Sequence, residues 1–214
     1  MNSCVVRKYK REDRERVREI YWNTAFLGRP GEELFEGREI FSDFMTGYFT
    51  DSEPEACFVA ESGESVIGYL IGTKSEKTLE HVFIFKILPR VFLKAFFSGV
   101  FFHKKNLRLI MYSLTGFLKG EFRRPDFSHE YPAVLHINIE EGFRSSGVGA
   151  KLIAAFLEYL KKEKVPGVHL STMSDKAALF FEKNAFRLLF RSKVTYFSSL
   201  LGKDVTAYVY GRKI

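Results

Sequence analysis

Residues 133–164 read AVLHINIEEGFRSSGVGAKLIAAFLEYLKKEK, and the rest of the chain takes its place around them. The stretch opens with strict alternation over residues 134–139: Leu135, Ile137 and Ile139 fall on one side, His136 and Asn138 on the other. A period of two marks a β-strand. Glu140 and Glu141 make a short acidic turn, and Arg144-Ser145-Ser146-Gly147-Val148-Gly149 forms a glycine-bearing loop. No proline interrupts the residues that follow, and Lys151, Glu158 and Lys162 line up as one narrow polar stripe at helical spacing. That pattern predicts a long helix buried round most of its surface.

A strand that feeds a helix through glycines favours an anion at the junction. The first N–H groups of a helix have no partner within it, and the macrodipole makes that end positive. Gly147 and Gly149 carry no Cβ, so a phosphate can approach their backbone, and Arg144 adds a fixed charge at the mouth. The same residues also suit a plain bend between strand and helix, and the glycine pair alone leaves both readings open.

Arg144-x-x-Gly147-x-Gly149 after a strand resembles the (Gln/Arg)-x-x-Gly-x-(Gly/Ala) motif of the GNAT N-acetyltransferases. Downstream, Val165-Pro166-Gly167-Val168-His169-Leu170-Ser171, then Ala177-x-x-x-Phe181-Glu182-Lys183-x-x-Phe186, is similar to that family's fifth strand and fourth helix. The two matches are correctly ordered and spaced over the last 85 residues or so. The segment 131–138 also resembles the acetyltransferase-like domains associated with O-GlcNAc hydrolases. The resemblance implies an α/β fold: a mixed, mostly antiparallel sheet flanked by helices. It implies acetyl-CoA as co-substrate, its pyrophosphate held by Arg144, Ser145, Ser146, Gly147, Val148 and Gly149. It also implies a gap between the fourth and fifth strands, where the backbone of Ile137 and Ile139 pairs with the pantetheine arm.

The implied reaction is direct attack by a primary amine on the acetyl thioester in a ternary complex. His136, on the polar side of the central strand, is the first candidate for the base, because an imidazole titrates near neutral pH. His169 on the next strand is the alternative, and Asn138 is placed to orient water or substrate. Glu140 and Glu141 read as solvated. Two cofactor positions depart from the family pattern. Ser174 stands where asparagine is frequent, and Phe181 where many members carry a tyrosine that protonates the departing thiolate; Ala185 replaces a usual glycine as well. These departures keep a second reading open: a non-catalytic acyl-CoA-binding or interaction module of the same fold.

Composition sets wider bounds. At 214 residues the chain is long enough for one domain, 1–214, or for one domain with an insertion. Its 46% hydrophobic content, with 23 phenylalanines, supplies an ample core. A net charge of +7 suits an anionic ligand, and equally RNA or an anionic membrane; no nucleic-acid motif accompanies it. Two cysteines build no disulfide framework, no Cys/His spacing implies zinc, and the first residues lack a signal-peptide core. A cytoplasmic setting is the expectation. The absence of glutamine, with only five asparagines, points to a thermophilic source.

In chain order the pattern reads strand (5–9), helix (13–25), helix (35–49) and a hairpin of strands at 56–61 and 65–73. After the two motifs come strands at 187–195 and 205–212, joined by 198–204. Between the third and fourth strands lies an unusual helical insertion, 74–131. Pro89 and Gly99 bracket one expected helix, 90–98, and Asn106 is placed to cap a second, 107–118. Residues 82–102 are strongly apolar, but Lys86, Arg90 and Lys94 and the proline argue against a membrane span. The insertion is expected to pack on the domain as a hairpin, to wall the acceptor site or to form a homodimer contact. A surface helix on a membrane is the further option.

Overall fold

The computed structural model describes residues 4–196 and 205–214; the predicted connection 198–204 lies outside them. The elements are β1 (Cys4–Lys8), α1 (Arg14–Thr24), α2 (Arg38–Ser52), β2 (Phe58–Ser62), β3 (Ser65–Thr73), α3 (Glu76–Val82), α4 (Leu88–Phe97), α5 (Lys104–Leu118), β4 (Ala133–Ile139), α6 (Val148–Lys162), β5 (Gly167–Thr172), α7 (Asp175–Lys183), β6 (Arg187–Val194) and β7 (Val205–Lys213). The strands form one sheet in the order β1-β2-β3-β4-β5-β7-β6. Every neighbouring pair is antiparallel except β4 and β5.

Each face of the sheet is covered by helices whose apolar spacing the sequence already shows. Leu152, Ile153, Phe156 and Leu160 of α6 bury themselves against Phe58, Leu70 and Leu135. On the opposite face, Val17, Ile20 and Tyr21 of α1 and Tyr48 and Phe49 of α2 pack on Val59, Tyr69 and Ile71. Lys151 is not merely solvated, because its Nζ donates to the carbonyl of Cys4 on β1 at 3.3 Å.

The insertion differs from its expected form in two respects. Its first helical stretch begins at Glu76, capped by Ser75, whose Oγ accepts from the Thr78 N–H at 3.2 Å. A π-helical turn at Phe83–Ile87 joins α3 to α4, so Pro89 sits inside a continuing helical run rather than opening one. Proline remains tolerable there because the wide turn rearranges the backbone bonds it would otherwise break. Asn106 is not a cap. It lies within α5, fully buried, and holds the insertion to the loop before α2: its Nδ2 donates to the carbonyls of Glu36 and Val100, and its Oδ1 accepts from the Glu36 N–H. Gly99 does end α4 in the left-handed region, at φ 73°.

Candidate functional site

β4 and β5 part company almost as soon as they meet. Their parallel ladder holds only Ala133 with Val168 and Val134 with His169. Beyond it the strands diverge around a cleft of about 1220 Å³, lined by residues 135–139 on one side and 170–174 on the other. That volume exceeds the range of ordinary small-molecule pockets, roughly 300–1,000 Å³, and suits a long ligand or two ligands together.

Which backbone groups face the gap follows from register. The Glu140 N–H donates to the carbonyl of Ile67, so even-numbered residues of this segment spend their amides on β3. In an antiparallel ladder the alternate residues point the other way. Ile137 and Ile139, beyond the last ladder pair, therefore turn their N–H and C=O groups toward β5, where no ladder meets them. The Ile139 carbonyl is taken instead by Arg144, whose Nε donates to it at 3.0 Å. The guanidinium reaches on toward Gly28 at the end of α1 and so spans the cleft mouth.

The loop before α6 divides its two glycines between two tasks. Gly147 caps the helix at φ 83°, a left-handed conformation, with open space where a Cβ would stand. Its amide region is accessible, as an anion cradle requires. Gly149 is different. It is buried, and a Cβ there would lie 2.7 Å from the Phe180 ring, so this glycine serves close helix packing rather than open approach. Val148 is likewise buried core. Ser145 holds a left-handed turn at φ 63°, and the Ser146 hydroxyl donates to the Phe143 carbonyl at 2.6 Å.

On β4, His136 lies between the rings of Tyr21 and Tyr69, with centroids 5.7 and 6.2 Å away. Burial pushes its imidazole down to about 4, so it is neutral at physiological pH. An acid limb near pH 6–7, which an ordinary histidine would give, is thus not expected from this residue. Asn138 Nδ2 lies 3.0 Å from the Tyr69 hydroxyl and 3.3 Å from His136 Nε2, bridging the two.

His169 does not share that setting. It lies on the same sheet face one strand over but is only 1% exposed and outside the cleft lining. Its Nδ1–H donates to the Tyr131 carbonyl at 2.7 Å, while Nε2 stands 3.3 Å from Glu76 Oε1. Glu76 also pairs with Arg124. This buried network ties both ends of the insertion to β5 and leaves His169 with no path to a substrate, so its assignment as an alternative base is corrected.

Phe181 is 4% exposed and packs edge-on against Phe186, where an acid hydroxyl was to be sought. Ser174 caps α7 through Oγ, accepting from the Ala177 N–H at 3.3 Å, and still borders the cleft. Glu140 is ion-paired with Arg16 at 2.7 Å.

The remaining walls of the cleft were not legible in advance. Tyr21 and Thr24 reach it from α1, Leu27 from the turn after α1, and Glu121, Phe122, Arg123 and Arg124 from the segment just after α5. Glu121 is the one carboxylate on this lining among the described residues. Burial opposes its charge, but hydrogen bonds from Thr195 and from the N–H of Tyr196 outweigh that and hold its pKa below the usual range. The charged run Glu121-Phe-Arg-Arg124 before Pro125 was the available signal, without a motif to interpret it. No group of three or more His, Cys, Asp or Glu is placed to hold a metal among the described residues.

A seven-stranded sheet that splays at a β4–β5 junction, with a bare helix N-terminus beside the gap, defines the GNAT acyltransferase fold, and this chain has it. No family model matches the chain, and no curated protein does. Solved structures do. SsHAT aligns with a TM-score of 0.71 at 22% identity, covering 99% of this chain and 98% of that one. The Drosophila melanogaster polyamine N-acetyltransferase, which catalyses formation of N-acetylagmatine, aligns at 0.60 and 12%, covering 99% and 100%. The acetyltransferase yncA of Salmonella typhimurium, solved with its cofactor acetyl-CoA, aligns at 0.57 and 10%, covering 99% and 94%.

Proposed function

We infer that the protein is an N-acetyltransferase that moves the acetyl group of acetyl-CoA to a primary amine in a ternary complex. The observation that carries this reading is the splay of β4 from β5, which turns the backbone of Ile137 and the Ile139 amide, without a ladder partner, toward a cleft that ends at the Gly147 helix terminus. The pantetheine amides pair with Ile137 and Ile139, and the pyrophosphate lies over Ser145, Ser146 and Gly147, with Arg144 swinging from Ile139 to meet it. Gly149 and Val148 support that loop from beneath.

The amine enters as its ammonium from the side of Tyr21 and Glu121, whose carboxylate offers it a negative point. After loss of a proton to solvent, its nitrogen attacks the thioester carbonyl. The N–C bond forms, the C–S bond breaks, and the second proton passes to His136 or to water held by Asn138, while the CoA thiolate leaves. A thiol with pKa near 8.5 can leave without a strong acid, which accommodates phenylalanine at 181. Tyr196, on the cleft wall, carries a hydroxyl that can reprotonate it. The amide-forming relatives that act on polyamine-like substrates favour a small amine as acceptor.

Phe181 and the low basicity of His136 also support a second reading, a module of this fold that binds acyl-CoA without turnover. Two measurements separate the readings. Calorimetry should show acetyl-CoA binding that falls at least about tenfold, or about 1.4 kcal/mol, in Arg144→Glu. Thiol release across a panel of polyamines, aminosugars and peptides should then show turnover with at least one amine. Binding without turnover throughout would favour the module, and no binding would remove both readings.

A further inference from the structure

Of the twenty large apolar side chains exposed among the described residues, fifteen lie between positions 84 and 122. They are ordered. On α5, Leu107, Ile110, Met111, Leu114, Phe117 and Leu118 are all exposed, and their spacing places them on one side of the helix. Buried Gly116 lies on the opposite side and buried Asn106 at the edge of the stripe, and both anchor the helix to the domain. An ordinary surface helix turns its apolar side inward; this one turns it to solvent. On α4, Ala95 faces the domain while Phe85, Leu88, Phe92 and Phe96 stand out along the helical run. Ring contacts between Phe92 and Phe101 at 5.2 Å, and Phe96 and Phe102 at 6.5 Å, continue that surface into the turn toward α5.

Charge selects the occupant. Residues 81–120 contain seven Lys or Arg and no Asp or Glu. Lys94 and Lys105 pair with Asp43 and Glu36. Lys86, Arg90, Lys104 and Arg108 form no ion pair among the described residues, while Lys119 lies near Glu121. A second copy docked face to face would set these cations against themselves, because a two-fold interface apposes the same patch. An anionic bilayer meets both properties, taking apolar side chains at its headgroup boundary and cations at its phosphates. Among the described residues no helix is long and apolar enough to cross a membrane, so the contact is interfacial.

We propose that α4 and α5 dock the protein on the surface of a membrane rich in anionic lipid. The segment 121–124, which follows α5 directly, lines the acceptor side of the cleft, so docking brings that opening close to the bilayer. This surface stands independently of the transfer reaction.

The test is co-sedimentation of the full chain with vesicles of phosphatidylcholine alone or mixed with phosphatidylglycerol. Binding should be at least about tenfold stronger on the anionic vesicles and should weaken at high salt. Phe97 and Leu118 are 81% and 76% exposed, so Phe97→Glu with Leu118→Glu should spare the fold and the acetyl-CoA affinity while reducing vesicle binding at least about tenfold. Lys104→Glu with Arg108→Glu should act in the same direction without touching an apolar side chain. Failure to bind either vesicle, or equal binding to both, overturns the proposal. So does a dimer in sedimentation velocity that the Phe97 and Leu118 changes dissolve, which would assign the surface to a second copy.

Discussion

Two histidines one strand apart on the same sheet face have opposite surroundings. His136 borders the cleft where β4 leaves β5, and its ring meets two tyrosines and an amide. His169 lies where the strands still pair, roofed by the two ends of the insertion and tied to Glu76 and Tyr131. The sheet supplies both positions equally. What separates them is the cover: the cleft leaves a neutral, weakly basic imidazole on its wall, whereas the insertion root makes its imidazole a structural bolt. A residue type suited to catalysis therefore says little until the neighbouring layer is known.

The sharpest way to break this contrast is at His136. His136→Ala should lower kcat/KM for acetyl transfer by about 10², the lower end of general-base effects, because a base held near 4 is weak at neutral pH. The wild-type rate should keep its acid limb outside pH 6–7. A limb in that range that vanishes in the mutant would show that the imidazole is not desolvated.

The same desolvation appears in stability. Folded His136 titrates near 4 against 6.5 in the unfolded chain, so the unfolded state binds more protons between those values. Stability then rises with pH across that window. Denaturant melts of wild type and His136→Gln at pH 5 and pH 7 should show a shallower slope in the mutant.

At the insertion root, Glu76→Ala should cost about 2–4 kcal/mol in chemical denaturation, since it leaves His169 and Arg124 beside a lost partner. Burial opposes the charge of Glu76, but the His169 hydrogen bond and Arg124 hold its carboxyl below the usual range. Its contribution is therefore present above the unfolded carboxyl pKa and is lost as pH falls through the lower folded value. His169→Ala should also destabilise yet leave kcat nearly unchanged. A large kcat loss with an intact fold would return His169 to the reaction.

The smallest effect is expected at Phe181. Phe181→Tyr should leave acetyl-CoA affinity unchanged and raise kcat severalfold if thiolate departure limits the rate, within the general range of acid–base effects. Stopped-flow thiol detection measures it. An equal rate in the mutant would assign protonation to Tyr196 or to water.

Much of this architecture was legible because it rests on local pattern. Alternation over residues 134–139, the bare loop at Gly147 and the helical stripe after it each follow from backbone geometry, and six further strands lie close to their expected positions. The helices of the insertion were visible too, but their ends were not. Ser75 caps a helix that runs on through a π-turn, and Asn106, a good capping residue by type, instead fastens α5 to Glu36, which lies 70 residues earlier.

The sequence by itself determined the strand–loop–helix unit, because alternation, glycine freedom and an unbroken helical stripe need no distant partner. Only the tertiary structure decided which glycine stands open, which histidine reaches the cleft and which way the apolar sides of α4 and α5 face. Each of those depends on what packs above a residue, and that neighbour comes from a remote part of the chain: Phe180 over Gly149, Glu76 over His169, and among the described residues nothing over Leu114.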